Sequence, residues 1–320
     1  MSEVVTMGEA MAVFAATDLD QPLWSANHFD KYLAGAEVNV ATGVARLGHS
    51  VEYITQLGMD PIGKFIQYQL ENNNIGTEYV NFSDEYQTGL MFKQRVSVGN
   101  PETANYRKNS AASHFNDKNI DKIDFHDTKI IHLTGIFPAL SETTRLATER
   151  LFAMGKNSKK ITTIFDTNLR PALWHYKQEM IETVNDFAHQ AKIVLPGIHE
   201  GEILVGSSNP EQIADFYLTN SDITEAVVVK LGSDGAFVKE KNGNKLLVPG
   251  YKVDTIIDTV GAGDGFAVGL ITGILEQLSL ADSVRRGNAI GSLAVQSAGD
   301  NDGYPNADEL MDYIAQRSIN

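Results

Sequence analysis

The residues of this chain best placed to do chemistry lie in one short run, Asp258-Thr-Val-Gly261-Ala262-Gly263-Asp264-Gly-Phe-Ala-Val-Gly. Three small residues form a tight turn that leads straight into an apolar-periodic segment predicted to be helical. The first N–H groups of a helix have no acceptor within it and carry the positive end of its dipole, so such a turn binds anionic oxygens. Gly261, Ala262 and Gly263 let a phosphate approach the backbone, and Asp264 sets a carboxylate beside the group being transferred. A lone aspartate in a first helical turn is explained by the dipole alone. The whole string fits phosphoryl transfer to an alcohol, in which Asp264 orients the hydroxyl and accepts its proton late. A carboxyl with the ordinary pKa of about 3.9 is ionised at neutral pH and can do this.

Other constellations fall short of their chemistry. Gly58-Met-Asp-Pro-Ile-Gly63-Lys64-Phe65 nearly spells a P-loop, but Phe65 stands where a magnesium-binding Ser or Thr is needed. No GxGxxG follows the first β-branched run, which leaves a nicotinamide enzyme unsupported. The 8 histidines show no metal-ligand spacing. A chain without cysteine has no disulfide, thiolate zinc site or Cys nucleophile. A net charge of -15 disfavours polyanionic partners such as nucleic acid or an anionic membrane surface. With no leader pattern and no long apolar run, a soluble, cytoplasmic protein is expected.

The elements that must position the turn are legible as an alternation. Short β-branched runs at 3–7, 129–133, 161–165, 192–195 and 226–231 alternate with helical patterns at 38–47, 141–154 and 177–190, with 263–277 and 281–297 following. That rhythm predicts an α/β fold with a mostly parallel central sheet flanked by helices, in one domain over 1–320. Two regions break it, at about 11–33 and 88–112. In the second, Gly-Leu-Met-Phe-Lys-Gln-Arg-Val and Thr-Ala-Asn-Tyr-Arg-Lys-Asn-Ser-Ala flank a Gly-Asn-Pro turn and read as an antiparallel hairpin. Together the two regions are expected to form a small β-sheet lid.

These residues resemble the PfkB, or ribokinase-like, carbohydrate kinases over the whole chain. Ala34-Gly35-Ala36-Glu37-Val38-Asn39 and Gly43-Val-Ala-Arg-Leu-Gly48 look like that family's sugar-binding segment, and 258–264 looks like its catalytic signature. The resemblance implies that Gly35 and Asn39 contact sugar, that Gly261, Ala262 and Gly263 form an anion hole, and that Asp264 is the base. It implies ATP and Mg2+ as cofactors, with Lys230, Gly232, Ser233, Gly235 and Asn288 lining the nucleotide. Glu200 matches the acid of an Asn-x-x-Glu magnesium motif, but Gly197 replaces the Asn, so an indirect role is implied. A monovalent cation near Asp258 is a further implication of the resemblance.

The segment Asp166-Thr-Asn168-Leu-Arg170-Pro171 is similar to the keto-deoxy sugar-acid kinases of that family. A sugar carboxylate needs cationic donors, and Arg engages one bidentately. Arg170 supplies one, and Tyr106-Arg107 on the lid hairpin resembles the pair placed over such a substrate, although Met91 stands where a second Tyr is frequent. Asp300 is a further sugar-facing candidate. The implied activity is phosphorylation of 2-keto-3-deoxygluconate at its terminal hydroxyl. A fructokinase or other sugar kinase is the enzyme alternative, and a nucleotide-responsive sugar sensor is the non-catalytic one. An exposed, partly apolar lid sheet implies a homodimer.

Overall fold

The structure, a computed structural model, describes residues 2–99, 101–297 and 299–317. Its core is a nine-stranded sheet. Seven strands are parallel: β1 (Val4–Met7), β4 (Val51–Gly58), β5 (Val80–Ser83), β8 (Ile130–Thr134), β9 (Thr162–Asp166), β10 (Ile193–Leu195) and β11 (Ala226–Lys230). Two antiparallel strands, β12 (Ala236–Glu240) and β13 (Lys245–Val248), finish one edge, giving the order β13-β12-β11-β10-β9-β8-β1-β4-β5.

Parallel strands buried on both faces carry apolar residues at successive positions, and these strands do. Val4, Ile130, Ile164 and Val228 join one core with α1 (Ala36–Arg46), α2 (Pro61–Asn72), α7 (Ala262–Leu275), α8 (Leu280–Ala294) and α9 (Ala307–Arg317). Their neighbours Val5, Ile131, Phe165 and Val229 join the other core with α3 (Glu142–Lys156), α4 (Lys177–Ala188), α5 (Ile198–Leu204) and α6 (Pro210–Thr219). The expected α/β architecture with a mostly parallel sheet is therefore present. Each helix and central-sheet strand read from the sequence is found within about three residues of its expected bounds. The near-P-loop is structural: Asp60 caps α2 by accepting from Gly63 N at 2.8 Å and also accepts from Thr88 N at 2.8 Å. The Gly63 N–H is thus occupied within the chain.

The two regions that broke the rhythm form a separate four-stranded sheet in the order β3-β2-β6-β7, from β2 (Met11–Leu19), β3 (Phe29–Ala34), β6 (Leu90–Arg95) and β7 (Thr103–Tyr106). β6 and β7 are antiparallel as the hairpin pattern predicts, with Met91 opposite Asn105 and Lys93 opposite Thr103. Asn100, in the Gly-Asn-Pro turn, lies outside the described residues. Alternation gives this sheet two faces. On one, Phe14 stacks on Phe92 at 5.3 Å while Phe29 and Tyr106 meet Phe92 edge-on. Lys93, on the other face, reaches the main body.

Candidate active site

Ligands of open α/β sheets bind beyond the carboxyl ends of the strands. Here the chain leaves β1 through Gly8-Glu9, β8 through Thr134, β9 through Asp166-Thr-Asn168-Leu-Arg170 and β11 through Lys230. The N-termini of α1 and α7 come to the same edge. Asn39, in the first turns of α1, donates to Asp264 Oδ2 at 2.8 Å across 225 residues of sequence.

Asp264 is buried, and its other oxygen accepts from Asn168 Nδ2 at 3.3 Å. Asn39 in turn accepts from Asn301 Nδ2 at 2.9 Å. Two amides therefore fix the carboxylate in orientation. Burial, reinforced by the charge of Asp166, pushes Asp264 up to about 6, against the pull of the Asn39 hydrogen bond, Lys230 and Arg170. Carboxylates brought near neutrality in this way are suited to taking a proton during turnover.

The turn before α7 is built for close approach. Gly261 caps the helix with φ 80, a left-handed conformation natural to glycine, and a Cβ there would lie 1.7 Å from the Asp300 carbonyl oxygen. The Gly261 carbonyl accepts from Tyr304 Oη at 2.6 Å, and no side chain caps the helix. The N–H groups of Ala262, Gly263 and Asp264 open the helix with no acceptor four residues back in it, and that of Ala262 donates instead to Thr259 O at 3.4 Å. Beside them stands Lys230, whose Nζ would be 3.7 Å from a Cβ placed on Gly263. Burial pulls the Lys230 pKa down, but Asp166 and Glu200 outweigh it and hold the ammonium charged. Lys230 Nζ lies 2.7 and 2.6 Å from the two oxygens of Asp166.

The remaining residues expected at the nucleotide gather on the adjoining edge. Gly232 and Gly235 both have positive φ, and Ser233 packs its carbonyl against Gly250. Asn288 donates to the carbonyls of Val248 and Pro249 at 3.1 and 3.0 Å, so its amide buttresses that loop. Glu200 accepts from Gly197 N, Thr167 Oγ1 and Leu169 N at 2.7, 2.7 and 2.6 Å. Burial alone would raise its pKa, yet Lys230 and these donors hold it below the usual value. Glu200 thus fastens the segment after β9 to α5, with most of its acceptor capacity used. Among the described residues no group of three or more His, Cys, Asp or Glu could hold a metal ion.

Among the residues expected to contact sugar, Gly35 has φ 141, and a Cβ there would lie 2.6 Å from the Glu9 carbonyl. Arg107 pairs with Glu9, a fully buried carboxylate that also accepts from Ser110 Oγ. Arg107 Nε is buried with no hydrogen-bond partner. Arg170, exposed at the rim, donates to its neighbour's carbonyl, and its charge partly offsets the burial that raises the pKa of both Asp264 and Asp300. Asp300 lies under Gly261, and burial raises its pKa against Lys93. Tyr106 is separated from Arg107 by strand alternation: its ring is exposed, packs on Phe92, and lines a cavity of about 700 Å³ with Tyr86 and Lys108. Sequence reasoning missed Asn168, Asn301, Glu9 and Lys93 as parts of the site. It also missed Glu37, a buried carboxyl bonded by Thr134 Oγ1 and pushed up to about 7 by burial.

The family model described as "pfkB family carbohydrate kinase" matches residues 1–307. A 2-dehydro-3-deoxygluconokinase from Bacillus subtilis (strain 168) is 43% identical over 319 residues, covering 99% of this chain and 97% of its own. The crystal structure of a PfkB protein from Polaromonas sp. JS666 superposes with a TM-score of 0.87 at 38% identity, covering 97% of this chain and 99% of that one. A candidate ribokinase II from E. coli, solved with ATP and Mg2+, has a TM-score of 0.88 at 23% identity over 99% of this chain and 100% of its own, a likeness of fold. With the family model spanning nearly all of it, this chain belongs to the pfkB family of carbohydrate kinases.

Proposed function

We propose that the protein phosphorylates 2-keto-3-deoxygluconate (2-dehydro-3-deoxygluconate) on its terminal hydroxyl at the expense of Mg-ATP. The observation that carries this reading is the 43% identity, over nearly the whole chain, to a kinase of that name. Its mechanistic support is Asp264, held by Asn39 and Asn168 beside the uncapped start of α7. The sugar hydroxyl oxygen attacks the γ-phosphorus, the bond to the bridging β-oxygen breaks with its electrons leaving on ADP, and the hydroxyl proton passes to Asp264. The N–H groups of the 261–264 turn and the Lys230 ammonium would face the transferred group and stabilise its charge. Magnesium, when bound to the phosphates, would neutralise their charge. Binding through substrate phosphates and few carboxylates is usual for it and fits a site where Glu200 is largely engaged.

Arg107, Arg170 and the floor at Gly35 and Asn39 would surround a sugar acid, whose carboxylate the unpartnered Arg107 Nε could engage. The small sheet would act as the lid over it, and its Phe14, Phe29 and Phe92 face would join two chains. Coupled ADP release with 2-keto-3-deoxygluconate, fructose, ribose and gluconate tests the reading, with Asp264→Asn alongside. A strong preference for the keto-deoxy acid and a loss of about 10²-fold or more in the variant are expected. Preference for a neutral sugar would overturn the substrate, and an active variant would overturn the base.

A further inference from the structure

The small sheet touches the glycine turn through one charge pair that takes no part in the reaction proposed above. Lys93 sits in the middle of β6, flanked by Ala15 of β2 and Thr103 of β7. Its Nζ lies 2.9 Å from Asp258 Oδ2, and both side chains are largely shielded. Asp258 stands three residues before Gly261 and is itself rigid: its Oδ1 accepts from Val260 N at 3.0 Å, and Ile257 N donates to Val295 O at 2.8 Å. Burial works to raise the Asp258 pKa, but the Val260 bond and Lys93 keep it below the ordinary value, so it carries a full negative charge. Lys93 also opposes the burial that raises the pKa of Asp300, whose carbonyl lies close against Gly261.

A fixed carboxylate at the rim of an anion hole opposes the ligand the hole is built for. A carboxylate three residues from the turn and largely shielded from water repels an incoming phosphate through the protein, and salt screens such partly buried charges little. We propose that Lys93 is a positioning residue for phosphoryl transfer: its ammonium neutralises Asp258 and ties the small sheet to the glycine turn, so that the terminal phosphate of a nucleoside triphosphate meets donors rather than a bare acid. The inference rests on the reading of 261–264 as the phosphate site, and not on which sugar is phosphorylated. Because Lys93 belongs to the small sheet and Asp258 to the body, the bond also makes the phosphate site complete only when the sheet is seated. An intramolecular ammonium thereby stands at the acid where a monovalent cation was expected.

Nucleotide binding to the intact protein, measured with ADP and the non-hydrolysable AMP-PNP in the presence of Mg2+, separates this role from a merely structural one. Lys93→Met is expected to weaken AMP-PNP about tenfold and ADP by less than about threefold, since the terminal phosphate alone lies at the turn. Lys93→Arg should restore most of the loss, and so should Asp258→Asn added to Lys93→Met, which removes the charge left unpaired. Potassium should leave the wild type unchanged and recover part of the loss in Lys93→Ala. Equal weakening of both nucleotides, no weakening, or a double variant no better than Lys93→Met would overturn the proposal. So would a wild type that requires potassium. A wild type that binds neither nucleotide would overturn the phosphate site itself, and Lys93's role with it.

Discussion

In the reaction proposed above Asp264 works as a carboxylate, and its surroundings make that state costly. Turnover should follow the ionised fraction, so kcat is expected to fall roughly tenfold per pH unit well below about 6. Stability moves the other way. The folded chain holds this proton more tightly than the unfolded chain, whose ordinary value is 3.8, so the penalty is absent below that value, grows between the two, and is complete above about pH 6. A rise from 3.8 to about 6 is worth about 3 kcal/mol, an upper bound that the Asn side chain would recover only in part, because it offers one acceptor where Asp offers two. Asp264→Asn should therefore gain on the wild type in melting temperature from pH 5 to pH 8 while losing activity. A melting difference independent of pH would contradict a raised Asp264 pKa. At this scale the sequence exposed what is written locally: Gly261, Ala262, Gly263 and Asp264 are contiguous, and the structure sets them as a left-handed glycine leading straight into α7. Asn168, Asn301 and Glu9 were illegible because their roles exist only across the fold, where each bonds a residue at least about a hundred positions away or in another sheet.

The first turn of α7 makes a prediction about an element rather than a side chain. Gly261→Ala puts a methyl into the Asp300 carbonyl and forces a left-handed backbone on alanine, so the turn must shift. We expect a loss of about 1–3 kcal/mol in stability and of about 10²-fold or more in kcat. Gly263→Ala meets only the Lys230 ammonium, in ordinary contact, and sits inside the helix. It should keep or raise the melting temperature, since alanine favours helix, yet still lose activity because its methyl occupies the phosphate's space. Chemical denaturation and steady-state kinetics on both variants separate the two effects. A fully active Gly263→Ala would remove the phosphate from that turn. Five of the parallel strands were readable because β-branched runs such as Ala226–Lys230 have no polar face to confuse the pattern, whereas Val51–Gly58 and Val80–Ser83 were not read. The short edge strand Lys245–Val248 and helix α5, only seven residues long, gave too little periodicity to be seen.

For the whole molecule, the outer aromatic face of the small sheet carries the expectation of assembly. Small-angle scattering should report two chains per particle that contract when sugar is added, and Phe92→Glu, which charges the centre of the Phe14, Phe29 and Tyr106 cluster, should give a single chain. A wild-type monomer would end the assembly proposal, and an unchanged radius with sugar would end the closing one. That a second sheet existed was legible from the broken rhythm near 11–33 and 88–112. Which of its faces meets the body was not, because Tyr106 and Arg107 are neighbours in sequence and opposites in space. The bond from Asn39 to Asp264, and the one from Asn301 back to Asn39, have a meaning for the protein's birth. Synthesis at about 5–20 residues per second leaves Asn39 waiting roughly ten to fifty seconds for a partner 262 positions later. With Asp264 as the proposed base, a chain cut short between Val248 and Asp264 would keep every strand of both sheets and is expected to show no kinase activity.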